Sequence, residues 1–132
     1  MNRPQPWYFI AITNKIIFQQ LSECGEWAGH LAGAALGVTI LHPDPSERFQ
    51  ILFDVGQCAA YMQLAAWELG VGSCLAIIYD SGKARLLLGF PEELSLRFAI
   101  SFGYPLNDDK LIAPPRRGGR RSLDEIVHWQ TW

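Results

Sequence analysis

Apolar residues return at steps of three and four over one long segment of this chain and at steps of two over several short ones, a pattern that separates helices from strands. The longest periodic run spans residues 51 to 74. Leu52, Val55, Ala59, Met62, Ala66 and Leu69 form one stripe, and Phe53, Ala60, Leu64 and Trp67 form a second beside it. A helix with two apolar stripes is covered on two sides, by its own core and by another layer such as a second subunit. Asp54, Gln57, Gln63 and Glu68 interrupt the run too often for a membrane span. Gly70 ends it as a glycine just past the last helical turn.

Shorter elements surround this helix. Tyr8 to Thr13 reads as a strand, and Thr13 or Asn14 caps a helix carrying Ile16, Ile17, Gln20 and Leu21. A brief segment with Trp27 and Leu31 leads to Gly33, and Ala34 to Leu41 reads as a buried strand closed by His42-Pro43. Asp44-Pro45-Ser46-Glu47 has the order of a helix start, with the long helix following there or a few residues later. Beyond it, Ser73 to Tyr79 is a third strand, Asp80 caps a helix from Ser81 to Leu88 stopped by Gly89 and Pro91, and Leu94 to Phe102 alternates as a fourth strand. Residues 106 to 132 read as a C-terminal arm, ending in a capping box at Ser122 to Glu125 and a short helix, Leu123 to Trp129. The sum is α+β, in a single domain spanning 1–132.

Composition agrees with a packed domain: 132 residues, 49% hydrophobic and 18% charged, supply a core and exclude disorder as the main state. The first residues lack the apolar run of a signal peptide, so a soluble, cytoplasmic protein is expected. Cys24, Cys58 and Cys74 are odd in number and form no CxxC pair, which predicts reduced, partly buried thiols. The net charge of −2 is unevenly spread, because Arg116, Arg117, Arg120 and Arg121 crowd beside Pro114, Pro115, Gly118 and Gly119. Guanidinium groups pair with phosphate oxygens bidentately, and neighbouring glycines let backbone N–H groups approach the same anion. Without interleaved aromatics, and with an acidic remainder, the segment suits a local phosphate rather than a nucleic acid.

No hydrolytic or metal site is predicted. His30, His42 and His128 are widely spaced, without an HExxH pattern or cysteine partners, and read as ordinary histidines. Gly70-Val71-Gly72 follows a helix rather than a strand, which excludes a dinucleotide fingerprint. Ser73 and Cys74 have no activating base placed by sequence and read as structural.

Five segments in collinear order resemble the FMN-dependent nitroreductase family. They are Asn2-Arg3-Pro4-Gln5-Pro6-Trp7, the Phe53 to Ala59 stretch running on to Cys74, Leu88 to Glu92, Ser101 to Pro105, and Gly118 to Glu125. The resemblance implies an α+β sandwich, with about four mainly antiparallel strands, flanking helices and a long central dimerisation helix, and FMN at the interface of a homodimer. By position, Asn2 and Gln5 sit at the flavin. Pro4 adds one residue between them, so Arg3 competes with Asn2 for the family position. Leu75, Ala76 and Ile77 lie along the ring and offer a backbone N–H, and Arg120 holds the phosphate with Arg121 and Arg117 assisting. The family's upstream Arg-Ser-x-Arg segment has no counterpart in the sequence. Arg3 and Lys15 are the cations left to stand near reduced flavin. The implied activity is electron transfer from NAD(P)H to nitroaromatic, quinone or related acceptors by a ping-pong cycle, with flavin-based chemistry and no catalytic side chain. The alternatives are a non-catalytic flavin- or phospholigand-binding dimer and a truncated family member with an incomplete site. No nucleic-acid, membrane or metal partner is expected.

Overall fold

A computed structural model of the chain describes residues 5–46, 48–107, 109, 113–114 and 118–132. Among them, β1 (Tyr8–Ile12), β2 (Leu36–Pro43), β3 (Gly72–Ile77) and β4 (Leu94–Gly103) form one sheet in the order β1-β2-β4-β3. Every neighbouring pair is antiparallel. The helices are α1 (Lys15–Ser22), α2 (Gln50–Glu68), α3 (Ser81–Leu88) and the short α4 (Leu123–Ile126), with a 3-10 helix at Ala28–Gly33. No helix among the described residues is long and apolar enough to cross a membrane.

The sheet lies between two helical layers because both of its faces are apolar. On one face α2 lays Ile51, Val55 and Ala59 against Ile40, Ile100 and Phe102. On the other, Phe18 and Leu21 of α1, Leu31 of the 3-10 helix and Ala84 of α3 meet Leu41, Ala76, Leu96 and Ala99. Burying one such Leu, Ile or Phe side chain is worth about 1.5–3 kcal/mol, so each layer is anchored by a few residues. A β-bulge breaks the alternation of β4: Ile40 pairs with Phe98 and Leu41 with Leu96, leaving Arg97 between them. Leu96 and Phe98 therefore face opposite layers despite standing two residues apart.

Helix ends follow local chemistry. Asn14, not Thr13, caps α1, its side-chain oxygen accepting from the Ile16 and Ile17 amides at 2.9 and 3.3 Å. Asp80 caps α3 by accepting from the Lys83 amide at 2.8 Å, and Gly89 closes it in the left-handed region. Asp44 accepts from the Ser46 amide at 2.9 Å, but this makes only a turn. Helix α2 begins later, after Phe49, which makes no side-chain cap bond, and Glu47 lies outside the described residues.

Three sequence expectations shift. Strand β2 runs through His42 to Pro43 rather than stopping before them, because the His42 ring is wholly buried and bonded through Nδ1 to the Pro43 carbonyl at 2.7 Å. The buried stripe of α2 starts at Ile51 rather than Leu52, and Leu52 and Leu69 are exposed. Of the cysteines, Cys24 is buried, Cys58 is half-buried and Cys74 is exposed.

Candidate functional site

Among the described residues, strand β3 has a neighbour on one side only. Just beyond it, the Ile78 amide donates to the Arg97 carbonyl at 2.9 Å. Bonded positions in an antiparallel pair recur every second residue. Cys74 and Ala76, opposite Ser101 and Ala99, therefore turn their backbone groups toward β4, while Leu75 and Ile77 turn theirs off the open edge. The far end of this edge is covered by the Cys24–Gly25 turn, where the Tyr79 and Asp80 amides donate to the Cys24 carbonyl at 2.9 and 3.0 Å. Gly25 comes so close to the Ile77 carbonyl that a Cβ there would overlap it. Ser73, Leu75 and Ile77 thus turn their N–H groups outward, and Leu75 is the middle one of the three.

The uncovered end of the strand borders a cleft of about 490 Å³ between the start of β3, the end of β4 and the 3-10 helix. His30, Ser73, Cys74, Ser101, Phe102 and Tyr104 are among its walls. Ser101 Oγ donates to the Cys74 carbonyl at 3.3 Å and lies 2.8 Å from His30 Nδ1. A hydroxyl has one proton to give, so with Ser101 donating to the carbonyl it is His30 Nδ1–H that donates to Oγ. Nε2 of His30 is buried without a partner among the described residues. A buried polar atom left unmatched costs about 1–3 kcal/mol, and His42 Nε2 is left in the same way. A second cavity of about 430 Å³ lies beside α2, walled by Trp7, Asp54, Cys58, Tyr61 and Met62.

The expected site residues divide into three groups. Leu75 and Ile77 stand on the open edge with side chains 41% and 46% exposed, whereas the Ala76 side chain is buried in the core below. Gln5, Arg120 and Arg121 are exposed, the arginines lying between Gly119 and α4. None of the three lines the β3 cleft among its described walls. Asn2, Arg3 and Arg117 lie outside the described residues. Lys15 is held by α1, its ammonium donating to the Ala34 carbonyl at 2.8 Å. His30 and Ser101, read from sequence as an ordinary histidine and as part of a strand, are brought together across 71 positions. No local pattern could have signalled that pair.

An antiparallel sheet between helical layers, with edge strand β3 beside a cleft, defines an α+β sandwich. The chain belongs to the nitroreductase family, whose family model matches residues 15–104. It is 29% identical, over 97% of its length and 75% of the relative's, to a protein of Archaeoglobus fulgidus described as a "putative NADH dehydrogenase/NAD(P)H nitroreductase". Among solved structures it is similar to an FMN-dependent nitroreductase from Clostridium difficile R20291, with a TM-score of 0.78 and 25% identity over 97% of this chain and 77% of that one. A Parabacteroides distasonis structure aligns over all of this chain and 77% of its own, with a TM-score of 0.81 and 19% identity, a likeness of fold.

Proposed function

We propose that the chain is a homodimeric FMN-dependent oxidoreductase that takes a hydride from NAD(P)H and passes electrons to a nitroaromatic, quinone or related acceptor in a ping-pong cycle. The observation that carries this reading is the open β3 edge, where the Leu75 N–H faces outward beside the cleft. Its donor set suits a planar heteroaromatic ring with acceptor atoms on its rim. The clostridial relative is FMN-dependent by name, and the A. fulgidus relative's name supplies the NAD(P)H.

Bound FMN would supply the two-electron chemistry. Leu75 and Ile77 would orient the ring through their backbone amides, and the apolar walls of the cleft would exclude water from it. Arg120, with Arg121 and Arg117, would hold the phosphate through charge-assisted hydrogen bonds. Asn2 or Arg3 and Gln5 would approach from the N-terminal segment. The exposed stripe Phe53, Leu64 and Trp67 on α2 would be the seam with a second copy, giving the helix its second covered face.

Purified protein incubated with excess FMN and then gel-filtered tests the reading. It should keep the visible flavin spectrum and lose it when NADH or NADPH is added without oxygen. Absence of bound flavin overturns the proposal. Bound flavin that neither nucleotide bleaches supports the non-catalytic binding dimer instead. Arg120→Ala should weaken FMN binding about tenfold or more, as loss of a charge-assisted bond does, while Arg116→Ala should not.

A further inference from the structure

We propose that His30 and Ser101 are positioning residues that aim and polarise the Leu75 N–H, one of the outward donors of the β3 edge, toward an acceptor atom of the ligand. This rests on the flavin reading for the identity of that ligand only. The peptide joining Cys74 to Leu75 is one planar trans unit, so its C=O and N–H point in opposite directions. The carbonyl end points into the sheet, where it accepts from Ser101 Oγ at 3.3 Å. With its proton given to that carbonyl, Ser101 Oγ is left to accept from His30 Nδ1–H, the two atoms being 2.8 Å apart. Each bond in such a series polarises the next. Electron density drawn toward the Cys74 oxygen leaves the Leu75 N–H a stronger donor at the open edge.

The neighbouring outward amide has no such support. Ile77 shares its peptide with the Ala76 carbonyl, which faces Ala99, and an alanine has no side-chain donor to offer. Leu75 and Ile77 are therefore unequal as outward donors, and the difference traces to one hydroxyl. The same two bonds tie the 3-10 helix to β3 and β4, so the peptide plane is set from inside the fold.

Amide NMR spectra of the 15N-labelled full chain, alone and with added FMN, test this. Ser101→Ala should move the Leu75 amide proton upfield by more than that of Ile77. Ser101→Thr, which keeps the hydroxyl, should restore it, and His30→Phe should give a smaller displacement in the same sense. Ser101→Ala should also weaken FMN binding about fivefold, the usual worth of one hydrogen bond. Ser101→Cys, close in volume and a weak donor, provides the comparison if the alanine variant folds poorly. Equal or absent displacement of Leu75 relative to Ile77, or an Nε2–H tautomer of His30 in the nitrogen spectrum, overturns the relay. FMN binding with a Leu75 amide that ignores Ser101→Ala sinks the relay and leaves the flavin reading standing. A responsive Leu75 amide in a chain that binds no FMN supports the relay and sinks the flavin.

Discussion

The Val71 amide donates to the Ala66 carbonyl at 2.9 Å across the end of α2, and the Gly70 amide donates to Trp67 at 2.9 Å inside that loop. This paired closure turns the chain from helix into β3, and it requires Gly70 at φ +72°. Val71 and Ala66 also pack in the same apolar cluster, so the turn is held by contact as well as by hydrogen bonds. Gly70→Ala should cost about 1 kcal/mol or more, because a Cβ is disfavoured in the left-handed region. Urea unfolding should show the midpoint lowered with an unchanged slope. Gly56→Ala, inside the same helix, should by contrast stabilise slightly, since nothing occupies the space its Cβ would enter.

Trp67 and Leu64 project from α2 on the side away from the sheet and are 53% and 65% exposed in the single chain. If that stripe is the seam between copies, Trp67→Ala should weaken association by about 2–4 kcal/mol, the range for an interface anchor. Leu64→Glu should separate the copies outright by setting like charges against each other in an apolar contact. The circular dichroism spectrum should hardly change, because the buried stripe at Ile51, Val55 and Ala59 is untouched. Sedimentation over a concentration series reads the result. An unchanged mass distribution in both variants would remove this face from the dimer.

Much of the fold was legible in the residue order, and the places where it was not share a physical cause. Caps were readable because Asn14, Asp80, Gly70 and Gly89 act on amides and carbonyls within a few residues of themselves. The phase of α2 was not, because Ile51, Leu52 and Phe53 are all apolar and periodicity alone tolerates a slip of one position. Only the shape of the sheet selects Ile51 for the core. The bulge at Arg97 has no signature in the residue order, because Leu96 and Phe98 fit a strict alternation whether they share a face or not. The family resemblance puts Leu75, Ala76 and Ile77 together at the ligand, and only the strand register sets the outward-turned Leu75 and Ile77 apart from Ala76. The pairing of His30 with Ser101 was not legible, because their meeting depends on how the 3-10 helix crosses the sheet.

The three thiols should react in an order set by burial. Burial pushes both the Cys24 and Cys58 thiols above their ordinary range, and nearby Asp80 and Glu23 add to the effect at Cys24 against the opposing pull of Lys83. Cys74 is exposed at the cleft. A short iodoacetamide pulse at mildly alkaline pH should therefore label Cys74 first, with Cys24 last, as read by peptide mass spectrometry. The sign for stability follows from linkage: a raised acid in the folded state keeps its contribution below the unfolded thiol value of 9.0 and loses it as pH rises beyond. Melting temperature should then fall on the alkaline side of about pH 9, and Cys24→Ala should flatten that fall. Labelling of Cys24 as fast as Cys74 would show that the layer formed by α1 and α3 opens readily.

Gly37 of β2 faces the ring of Phe18, which is fully buried in α1. A Cβ at Gly37 would sit 2.6 Å from Phe18 Cε1, closer than real carbon contacts allow. The ring cannot retreat easily, since Phe18 belongs to the same cluster as Leu21, Leu31 and Ile12. Gly37→Ala should therefore cost about 1–3 kcal/mol as an overpacked core. Phe18→Leu should cost about as much by leaving a cavity over the strand. The two losses should not add: in the double variant the added methyl partly occupies the space the ring vacates, so its stability should exceed the sum by about 1 kcal/mol or more. Denaturant unfolding of the four proteins closes this cycle, and strict additivity would show that helix α1 shifts away from β2 rather than holding the ring against it.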